Sequence, residues 1–476
     1  MAARAFSVGG KRGLMLSAAE ENIRTLMGLM GFSEAEANQR LSARVTVSCG
    51  AGAEQFVGDI RQLLQRTVEV ATPGEACDVE LSIGCMPSTD APVQLMAALS
   101  QDALVLQRRT NSDRYADVAA IPGLTRKIAA CYAAGYVIGC AIGGQLDQDV
   151  PEQFCFKFAA LELPTAPLQP IVLHDTVLAG GGGVANGFLW AAEELPITGE
   201  LVIADPKTVR PGNCNRCLYF RPEDDGAFKA ELLAVRFRRP GLTVVPFVGT
   251  VHEYCLSRPD QKIRRVLTTV DSRAARRSIQ DELPAEILDA STTDTSEVIV
   301  HSHRQPNSNA CLSCIYAHIP AEDQRENHIA EALGITLADA KKKVIDEELA
   351  GKLVAQHPDL HQAELIGMAI DTLFKMKCGG GNLKTPAGKQ AAAPFAFISN
   401  LAGALLALEL VRFESSDALN SLPNYLFASP WKPPHKRLRL TRRKLVDCES
   451  CSKQTTADAL RALWPNLNWP SQIVTK

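Results

Sequence analysis

Short apolar runs of strand length alternate with stretches of helical periodicity along most of the chain. In the second half these runs cover residues 176–179, 201–204, 242–245 and 265–270. Such alternation predicts an α/β fold with a mostly parallel, doubly wound sheet. Ligands of these sheets bind outside the carboxyl ends of the strands.

The N-terminal third repeats this order of elements in a thinner form. Helical spacing covers residues 14–42, and a glycine-containing turn lies at 50–53. Strand-length apolar runs lie at residues 45–49, 68–71 and 79–83. We therefore predict a first α/β domain over residues 1–165, with a proline-containing linker at 161–170.

The second domain is interrupted by a stretch rich in Ala, Leu, Lys and Glu. Apolar positions with helical spacing predict a helical insertion at residues 320–378. We assign the second domain to residues 166–319 and 379–476. The apolar stretch at residues 393–410 predicts a long packed helix after the insertion.

Composition adds few constraints. The 476 residues suffice for two or three domains, and 46% hydrophobic with 22% charged residues is ordinary for a globular protein. A formal net charge of −3 argues against nucleic-acid binding through bulk charge. We find no signal peptide and no apolar run of membrane-spanning length, and fourteen cysteines fit reduced thiols and metal ligands, so we expect a cytoplasmic protein without membrane contact.

A basic run lies between residues 432 and 444. Its alternation predicts an exposed strand whose Leu438 and Leu440 face inward. We interpret it as a solvated strand or a partner-docking surface rather than a nucleic-acid site.

The turn after residues 176–179 carries the strongest chemical signal. Four glycines, at 180–183, precede a helical stretch, and this geometry directs backbone N–H groups at a phosphate. Asp205 follows the next strand, where an acid holds a ribose hydroxyl. Asn213, Arg216 and Lys229 come after it. This set predicts an ATP site rather than a dinucleotide site.

The combined motif resembles the adenylating enzymes that activate ubiquitin and ubiquitin-like proteins, and their sulfur-carrier relatives of the ThiF and MoeB type. In that family GxGGxG/A is followed by an acid, SNxxRQ, a lysine and a late Asp-Asn. This chain has GGGGVA, Asp205, GNCNRC, Lys229 and Val270-Asp271-Ser272. The match covers roughly residues 170–315 and 392–452. It implies an ATP-dependent enzyme that adenylates the C-terminal glycine of a ubiquitin-like protein.

The resemblance also implies a role for each matching residue. Three glycines would bind the phosphates through backbone N–H groups: Gly180, Gly182 and Gly183. Asp205 would bind the ribose, and Asn213 would orient the phosphates. Arg216 and Lys229 would offset the phosphate charge, and Asp271 would bind Mg²⁺.

The chain departs from the family pattern at three positions. Lys207 stands where a second acid is usual, Cys217 replaces the Gln after Arg216, and Ser272 replaces the Asn after Asp271. The first two departures are expected to weaken or retune nucleotide contacts. None removes a group to which the resemblance assigns chemistry.

Enzymes of this family pair two adenylation folds, either in a homodimer or as one active and one inactive copy. The resemblance therefore implies that residues 1–165 are a degenerate copy in an internal pseudo-dimer; an unrelated supporting α/β domain and a homodimer of the whole chain are the alternatives. In the family an arginine from the neighbouring copy often reaches the ATP. Arg4, Arg12 and Arg24 are candidates, and none is assigned.

Two CxxC pairs predict a structural zinc site. Cys311 with Cys314 and Cys448 with Cys451 each present two thiolates, and together they can close a tetrahedral Zn²⁺. The alternative is a redox dithiol, but neither pair opens a helix in a thioredoxin-like unit.

Cys378 is the last residue of the predicted insertion and precedes three glycines. Family members that pass on their cargo as a thioester carry a nucleophilic cysteine in this part of the chain. The resemblance thus implies that Cys378 receives the activated protein before a conjugating enzyme does, with Cys214 and Cys217 as rival nucleophiles. Two other functions stay open: sulfur-carrier activation without a thioester, and a non-catalytic nucleotide-binding scaffold.

Overall fold

The chain divides into two compact units, Ala18–Ala317 with Ala392–Lys476, and Met1–Ser17 with His318–Ala391. The computed structural model describes residues 16–110, 118–143, 151–293, 295, 297–317, 320–340, 342, 345–358, 360–366, 370, 373–374, 393–415 and 423–469. The larger unit contains two sheets, and the smaller unit contains helices.

The N-terminal half of the larger unit builds a six-stranded sheet. Its helices are α1 (Ala18–Met30), α2 (Glu34–Leu41), α3 (Glu54–Leu64) and α4 (Gly123–Ile142). Its strands are β1 (Arg44–Cys49), β2 (Glu69–Val70), β3 (Val79–Ile83), β4 (Val93–Leu99), β5 (Ala103–Arg108) and β6 (Gln153–Lys157). The order is β2-β1-β3-β4-β5-β6, parallel from β2 to β4 and antiparallel through β5 and β6. Gly31, with φ of +68°, ends α1, so the predicted helical stretch is divided between α1 and α2.

The C-terminal half builds an eight-stranded sheet. Its strands are β7 (Ile171–Ala179), β8 (Ile197–Ala204), β9 (Leu242–Phe247), β10 (Arg265–Thr268), β11 (Glu286–Thr293), β12 (Glu297–Arg304), β13 (Tyr425–Ala428) and β14 (Arg439–Leu440). The first helices of this half are α5 (Gly183–Ala192), α6 (Lys229–Arg236), α7 (Val251–Ser257), α8 (Arg273–Asp281) and α9 (Leu312–Ile315). The order is β14-β13-β12-β11-β10-β7-β8-β9, parallel from β9 to β11 and antiparallel beyond. The predicted α/β fold with mostly parallel sheets is confirmed.

The smaller unit contains the helices of the insertion. They are α10 (Pro320–Leu333), α11 (Leu337–Ala340), α12 (Glu347–Gln356) and α13 (Gln362–Leu365). These helices bury a separate apolar core that includes Leu333, Leu349 and Leu353. Side chains at helical spacing therefore supply this unit with its own hydrophobic stabilisation.

Two helices complete the larger unit, α14 (Ala396–Ser415) and α15 (Gln454–Leu463). By length and composition α14 is able to cross a membrane, which corrects our expectation that the chain has no such run; 94% of its apolar window is buried inside the fold. It packs tightly on α5, because a Cβ at Gly403 would overlap the backbone N of Phe188. The apolar sequence of α14 is thus that of a core helix.

The two sheets share one topology. Strands β1 to β6 occupy the positions of β7, β8, β10, β11, β12 and β13, with the same relative directions. Helix α3 follows the first strand as α5 does, and the 20-residue helices α4 and α14 lie between the last two matched strands in both halves. Strands β9 and β14 are additional edges of the second sheet.

The halves join through these helices. Arg126 of α4 pairs with Glu194, after α5, at 2.7 Å and with Asp59 of α3 at 2.8 Å. The indole N–H of Trp190 in α5 donates to Gln62 Oε1 in α3 at 2.9 Å. One apolar cluster includes residues from both halves, so they share a hydrophobic core.

The basic run differs from its predicted orientation at β14. Leu440 is 45% exposed, whereas the Arg439 side chain is only 6% exposed and its guanidinium lies 3.1 Å from the carboxylate of Glu409. A buried carboxylate requires a paired cation, and this requirement turns the arginine inward and the leucine outward.

Candidate active site

The turn between β7 and α5 is an open glycine turn. Gly180 has φ of +96°, a conformation that favours glycine. At Gly182, the residue before α5, no atom lies within 4 Å of the place that a Cβ would take. A Cβ at Gly181 would lie 3.1 Å from Lys229 Cβ, and one at Gly183 would lie 3.2 Å from Arg216 Cδ. The turn is therefore open at Gly182, and two cationic side chains lie beside the neighbouring glycines.

Asp205 follows β8 and lies beside this turn. One carboxylate oxygen accepts the N–H of Gly181 at 2.6 Å, and the other accepts the N–H of Lys207 at 2.6 Å. The residue is only 5% exposed. Two short charge-assisted bonds fix the carboxylate next to the glycines.

Lys229 begins α6 and is 8% exposed. Burial lowers the pKa of its ammonium group, while nearby Asp205 opposes the shift. A desolvated cation interacts more strongly with an anion than a hydrated one does.

Asp271 lies beyond the end of β10, with an exposed side chain that pairs with Lys207 Nζ at 3.1 Å. The lysine that departs from the family pattern thus lies against the carboxylate predicted to bind Mg²⁺. One carboxylate together with substrate phosphates is a usual ligand set for Mg²⁺, so Asp271 fits this metal once the Lys207 pair opens.

The loop between β8 and α6 carries the remaining predicted residues. Asn213 lies in a 3₁₀ turn, and its Oδ1 accepts the N–H of Arg210 at 3.0 Å. Arg216 donates from Nη1 to Asn215 Oδ1 at 2.7 Å, and its carbonyl oxygen accepts from Asn400 Nδ2 at 3.2 Å. Helix α14 and a neighbouring amide therefore both hold Arg216.

The described residues predicted for the nucleotide site occupy one edge of the second sheet. They lie in the turns after β7, β8 and β10, in the loop that leads to α6, or at the first residue of α5 or α6. Sequence reasoning missed four residues that hold this loop: Asn22, Arg66, Asn215 and Asn400. Asn215, inside the motif, was the one with a local signal; the others are distant in sequence and belong to no motif.

The candidate nucleophiles differ in accessibility. Cys214 and Cys217 are both buried. Burial raises the pKa of Cys214 to about 11 and also raises the pKa of Cys217. Both thiols are thus disfavoured as thiolates at neutral pH. Cys378 lies outside the described residues.

The two CxxC pairs converge on one cluster. The Sγ atoms of Cys311, Cys314, Cys448 and Cys451 all lie within 4.8 Å of one another. The Sγ atom of Cys311 lies 3.8 Å from that of Cys314 and 3.7 Å from that of Cys448, and the Sγ atoms of Cys314 and Cys451 are 3.5 Å apart. A Zn–S bond of about 2.3 Å in a tetrahedron requires sulfur atoms about 3.8 Å apart. The thiol spacing fits that geometry.

Further hydrogen bonds hold the two cysteine turns together. The N–H of Leu445 donates to Cys314 Sγ at 3.3 Å, and the hydroxyls of Ser313 and Ser450 lie 2.9 Å apart. Such outer contacts orient thiolate ligands. The cluster joins β14 and its following loop to the start of α9.

The fold and the site define a class: an α/β adenylation fold with a glycine turn, an acid and two cations at one sheet edge. Known families agree. The model of the ThiF family matches residues 177–450, and the model of the E1 N-terminal domain matches residues 15–163. Because the first match covers more than half of the chain, this protein belongs to the ThiF family.

Individual relatives are more distant. The chain is 27% identical over 306 residues to the uncharacterized protein y4jF of Sinorhizobium fredii (strain NBRC 101917 / NGR234), covering 60% of this chain and 58% of that relative. It thus spans less than two thirds of the relative's length. Among solved structures, E. coli MccB with ATP is 13% identical with a TM-score of 0.36, covering 75% of this chain and 97% of that chain. E. coli MccB with succinimide is 12% identical with a TM-score of 0.35 over the same shares. The family assignment rests on the sequence match, not on these scores.

Proposed function

We propose that this protein uses ATP to adenylate the C-terminal glycine of a ubiquitin-like protein, and then carries that protein as a thioester on Cys378 for transfer to a conjugating enzyme. The main support is the convergence of Asp205, Arg216 and Lys229 on the open glycine turn of a ThiF-family fold.

The first step brings anions together. A carboxylate oxygen of the terminal glycine attacks the α-phosphorus of ATP, the bond to the β-phosphate oxygen breaks, and pyrophosphate leaves. The N–H groups at Gly180, Gly182 and Gly183 with the cations of Arg216 and Lys229 would stabilise the charge on the phosphates. Asn213 would orient the phosphates and Asp205 would bind the ribose. These residues hold and orient the reactants rather than enter a covalent bond.

Asp271 would hold the Mg²⁺, which supplies further positive charge against the phosphates when bound. Its exposed carboxylate is accessible for this role. Lys207, released from Asp271, would remain beside the same phosphates.

The second step needs a thiol. A thiolate attacks the carbonyl carbon of the acyl-adenylate, AMP leaves, and a thioester forms. The buried, high-pKa thiols of Cys214 and Cys217 fit this role poorly. The glycine-rich sequence after Cys378 favours a segment that adapts to the adenylate, which supports Cys378 as the nucleophile.

The N-terminal half, residues 1–165, would be an inactive copy of the adenylation domain formed by 166–319 and 379–476, and the helical insertion at 320–378 would carry the nucleophile. The shared strand order of the two sheets supports this assignment. The pairing of copies would then occur within one chain. Zn²⁺ would be bound by Cys311, Cys314, Cys448 and Cys451 in a structural site, since four thiolates leave no open position.

ATP–pyrophosphate exchange tests the first step. The purified protein is incubated with ATP, Mg²⁺ and a panel of small proteins that end in glycine, and exchange is measured for each. Exchange that depends on one panel member, and is lost when its terminal glycine is removed, supports adenylation. Absence of nucleotide binding and of exchange would favour the scaffold function instead.

An adduct assay tests the second step. With the cognate protein and ATP, the wild type should form a thiol-sensitive adduct, and Cys378→Ala should lose that adduct while exchange continues. The matched control is Cys155→Ala, which removes an exposed thiol in β6. An adduct that survives in Cys378→Ala means that the nucleophile is another cysteine. Exchange without any adduct in the wild type means that the protein activates a sulfur carrier.

A further inference from the structure

One arginine of the N-terminal half donates three hydrogen bonds to the loop that carries Arg216. Arg66, which follows α3, donates from Nη1 to the carbonyl oxygens of Cys214 at 3.0 Å and Phe220 at 3.1 Å. Its Nη2 donates to the carbonyl oxygen of Leu218 at 2.8 Å. All three acceptors lie between β8 and α6, so a single guanidinium from the other half fixes the curvature of this loop.

Two asparagines extend the contact to the Arg216 side chain. Asn22 of α1 donates from Nδ2 to the carbonyl oxygen of Arg66 at 2.7 Å and accepts at Oδ1 from Asn215 Nδ2 at 3.1 Å. Asn215 accepts at Oδ1 from Arg216 Nη1 at 2.7 Å. Asn22 is 3% exposed and Asn215 is fully buried, so little water competes for these bonds, and each amide fixes the next.

These hydrogen bonds lead to the Arg216 side chain, which lies beside the glycine turn. The Cδ atom of Arg216 lies 3.2 Å from the position that a Cβ on Gly183 would take. A guanidinium is planar, so contact along its stem and a bond to one terminal nitrogen together restrict the direction of the whole group. Through these contacts the N-terminal half influences the position of a side chain at the turn.

We propose that Asn22 and Arg66 are positioning residues of the ATP site, which act through Asn215 and the loop at 214–220 to hold the Arg216 guanidinium beside the phosphates. The role of Arg216 in this inference rests on the proposed function. The bracing of the loop, meaning the hydrogen bonds that hold residues 214–220 in place, does not. The N-terminal half would thus order the active loop, although it carries no comparable nucleotide motif.

Two variants remove the contacts at different points. Asn22→Leu replaces the amide by an apolar group of similar size and breaks the bonds to Asn215 and Arg66. Arg66→Met keeps much of the aliphatic stem and removes all three donors to the loop. Arg61→Met is the matched control, because Arg61 lies in α3, five residues before Arg66, but donates to the carbonyl oxygen of Val47, within its own half, at 2.9 Å.

Hydrogen exchange tests the bracing directly. We expect the amides at 214–220 to exchange faster in Asn22→Leu and Arg66→Met than in the wild type or Arg61→Met, with a similar global melting temperature. Wild-type protection of these amides in both variants would overturn the proposal. Asn22→Leu is the milder change, because it leaves all three Arg66 bonds to the loop in place. If Arg66→Met fails to fold, hydrogen exchange in Asn22→Leu alone decides.

ATP titration by calorimetry tests the positioning of Arg216. A displaced guanidinium should weaken ATP binding about 10-fold or more, and Arg66→Lys, which keeps a cation with donors, should restore part of that affinity. The effect of Asn22→Leu should vanish in an Arg216→Ala background, because Asn22 acts through Arg216. Additive losses would overturn this route. A wild type that binds no ATP would refute the proposed function, while hydrogen exchange would still decide the bracing.

Discussion

Two turns at equivalent places in the two sheets differ in the groups that lie against them. In the N-terminal half a Cβ at Gly50 would overlap the carbonyl oxygen of Gly84, whereas no atom lies within 4 Å of a Cβ at Gly52. In the C-terminal half no atom lies within 4 Å of a Cβ at Gly182, and the side chains of Lys229 and Arg216 lie beside Gly181 and Gly183. The next strands also differ at their ends: Ala71 and Thr72 follow β2, whereas Asp205 follows β8. The same topology thus places different side chains at the two sheet edges.

The carboxylates of the two halves also differ in exposure. Glu80 on β3 is fully buried, and its carboxylate accepts the N–H groups of Ser88 at 2.6 Å and Thr89 at 2.9 Å as well as nearby hydroxyls. Those bonds lie within its own half. Asp271, in contrast, is exposed. A shared fold does not imply a shared activity, and the difference here lies in a few side chains at one sheet edge.

The largest effect is expected from removal of Arg216 in the C-terminal half, compared with removal of Arg61 in the N-terminal half. Arg216→Ala should lower the rate of ATP–pyrophosphate exchange by roughly 10²-fold or more, because a cation that stabilises developing phosphate charge is lost. Arg61→Ala, in the N-terminal half, should leave the rate close to that of the wild type. Equal rates in Arg216→Ala and the wild type would contradict the site assignment.

Zinc removal should affect the halves unequally. Cys311→Ser is expected to abolish binding of about one Zn²⁺ per chain and to lower the melting temperature, because four thiolates staple distant segments of the C-terminal half. Faster hydrogen exchange should appear in β12 to β14, with β1 to β4 unchanged. A folded wild type without metal, by elemental analysis, would disprove the zinc site.

A smaller effect on ATP affinity is expected from Asp205, which follows β8. Asp205→Ala should weaken ATP binding about 10-fold, since a charged hydrogen-bond partner of the ribose is removed. Thr72→Ala, at the equivalent end of β2, should bind ATP as the wild type does. Calorimetric titration gives both values, and similar affinities for the two variants would argue against ribose binding by Asp205.

The smallest effect is a shift in pH dependence. Burial lowers the pKa of Lys229 below the ordinary 10.5, so its ammonium should be lost, and ATP binding should weaken, at a pH below that value. Lys229→Arg should move this loss to higher pH. The unfolded chain binds more protons in the same window, so this group makes folding more favourable as pH rises. Loss of binding there should therefore occur without unfolding, and identical pH profiles for the two proteins would exclude the role of Lys229.

Local patterns predicted strands of both sheets well. The apolar runs at 176–179 and 201–204 form the ends of β7 and β8, and the run at 79–83 coincides with β3. Such runs are recognisable because a buried parallel strand is apolar on both faces. The motif residues followed from their position after these runs, since strand ends fix where a turn must lie.

Long-range contacts were not predictable in the same way. No sequence pattern relates Arg66 to Leu218, because their bond depends on how two halves pack. Arg439 and Leu440 faced the opposite way from the prediction for a similar reason: the buried Glu409 on another element needs a cation. The role of Cys378 stays a prediction.

The two halves share one topology but differ greatly in the length of one connection. Residues 109–122 connect β5 to α4, whereas residues 305–395 connect the equivalent β12 and α14. Lengthening a flexible connection about sixfold costs under about 2 kcal/mol in loop-closure entropy, so this crossover is a thermodynamically tolerant place for new sequence. A variant with residues 318–391 replaced by a short Gly/Ser segment should accordingly keep the melting temperature of the larger unit within a few degrees. The crossover would then be a position at which an inserted unit can be exchanged without redesign of the nucleotide site.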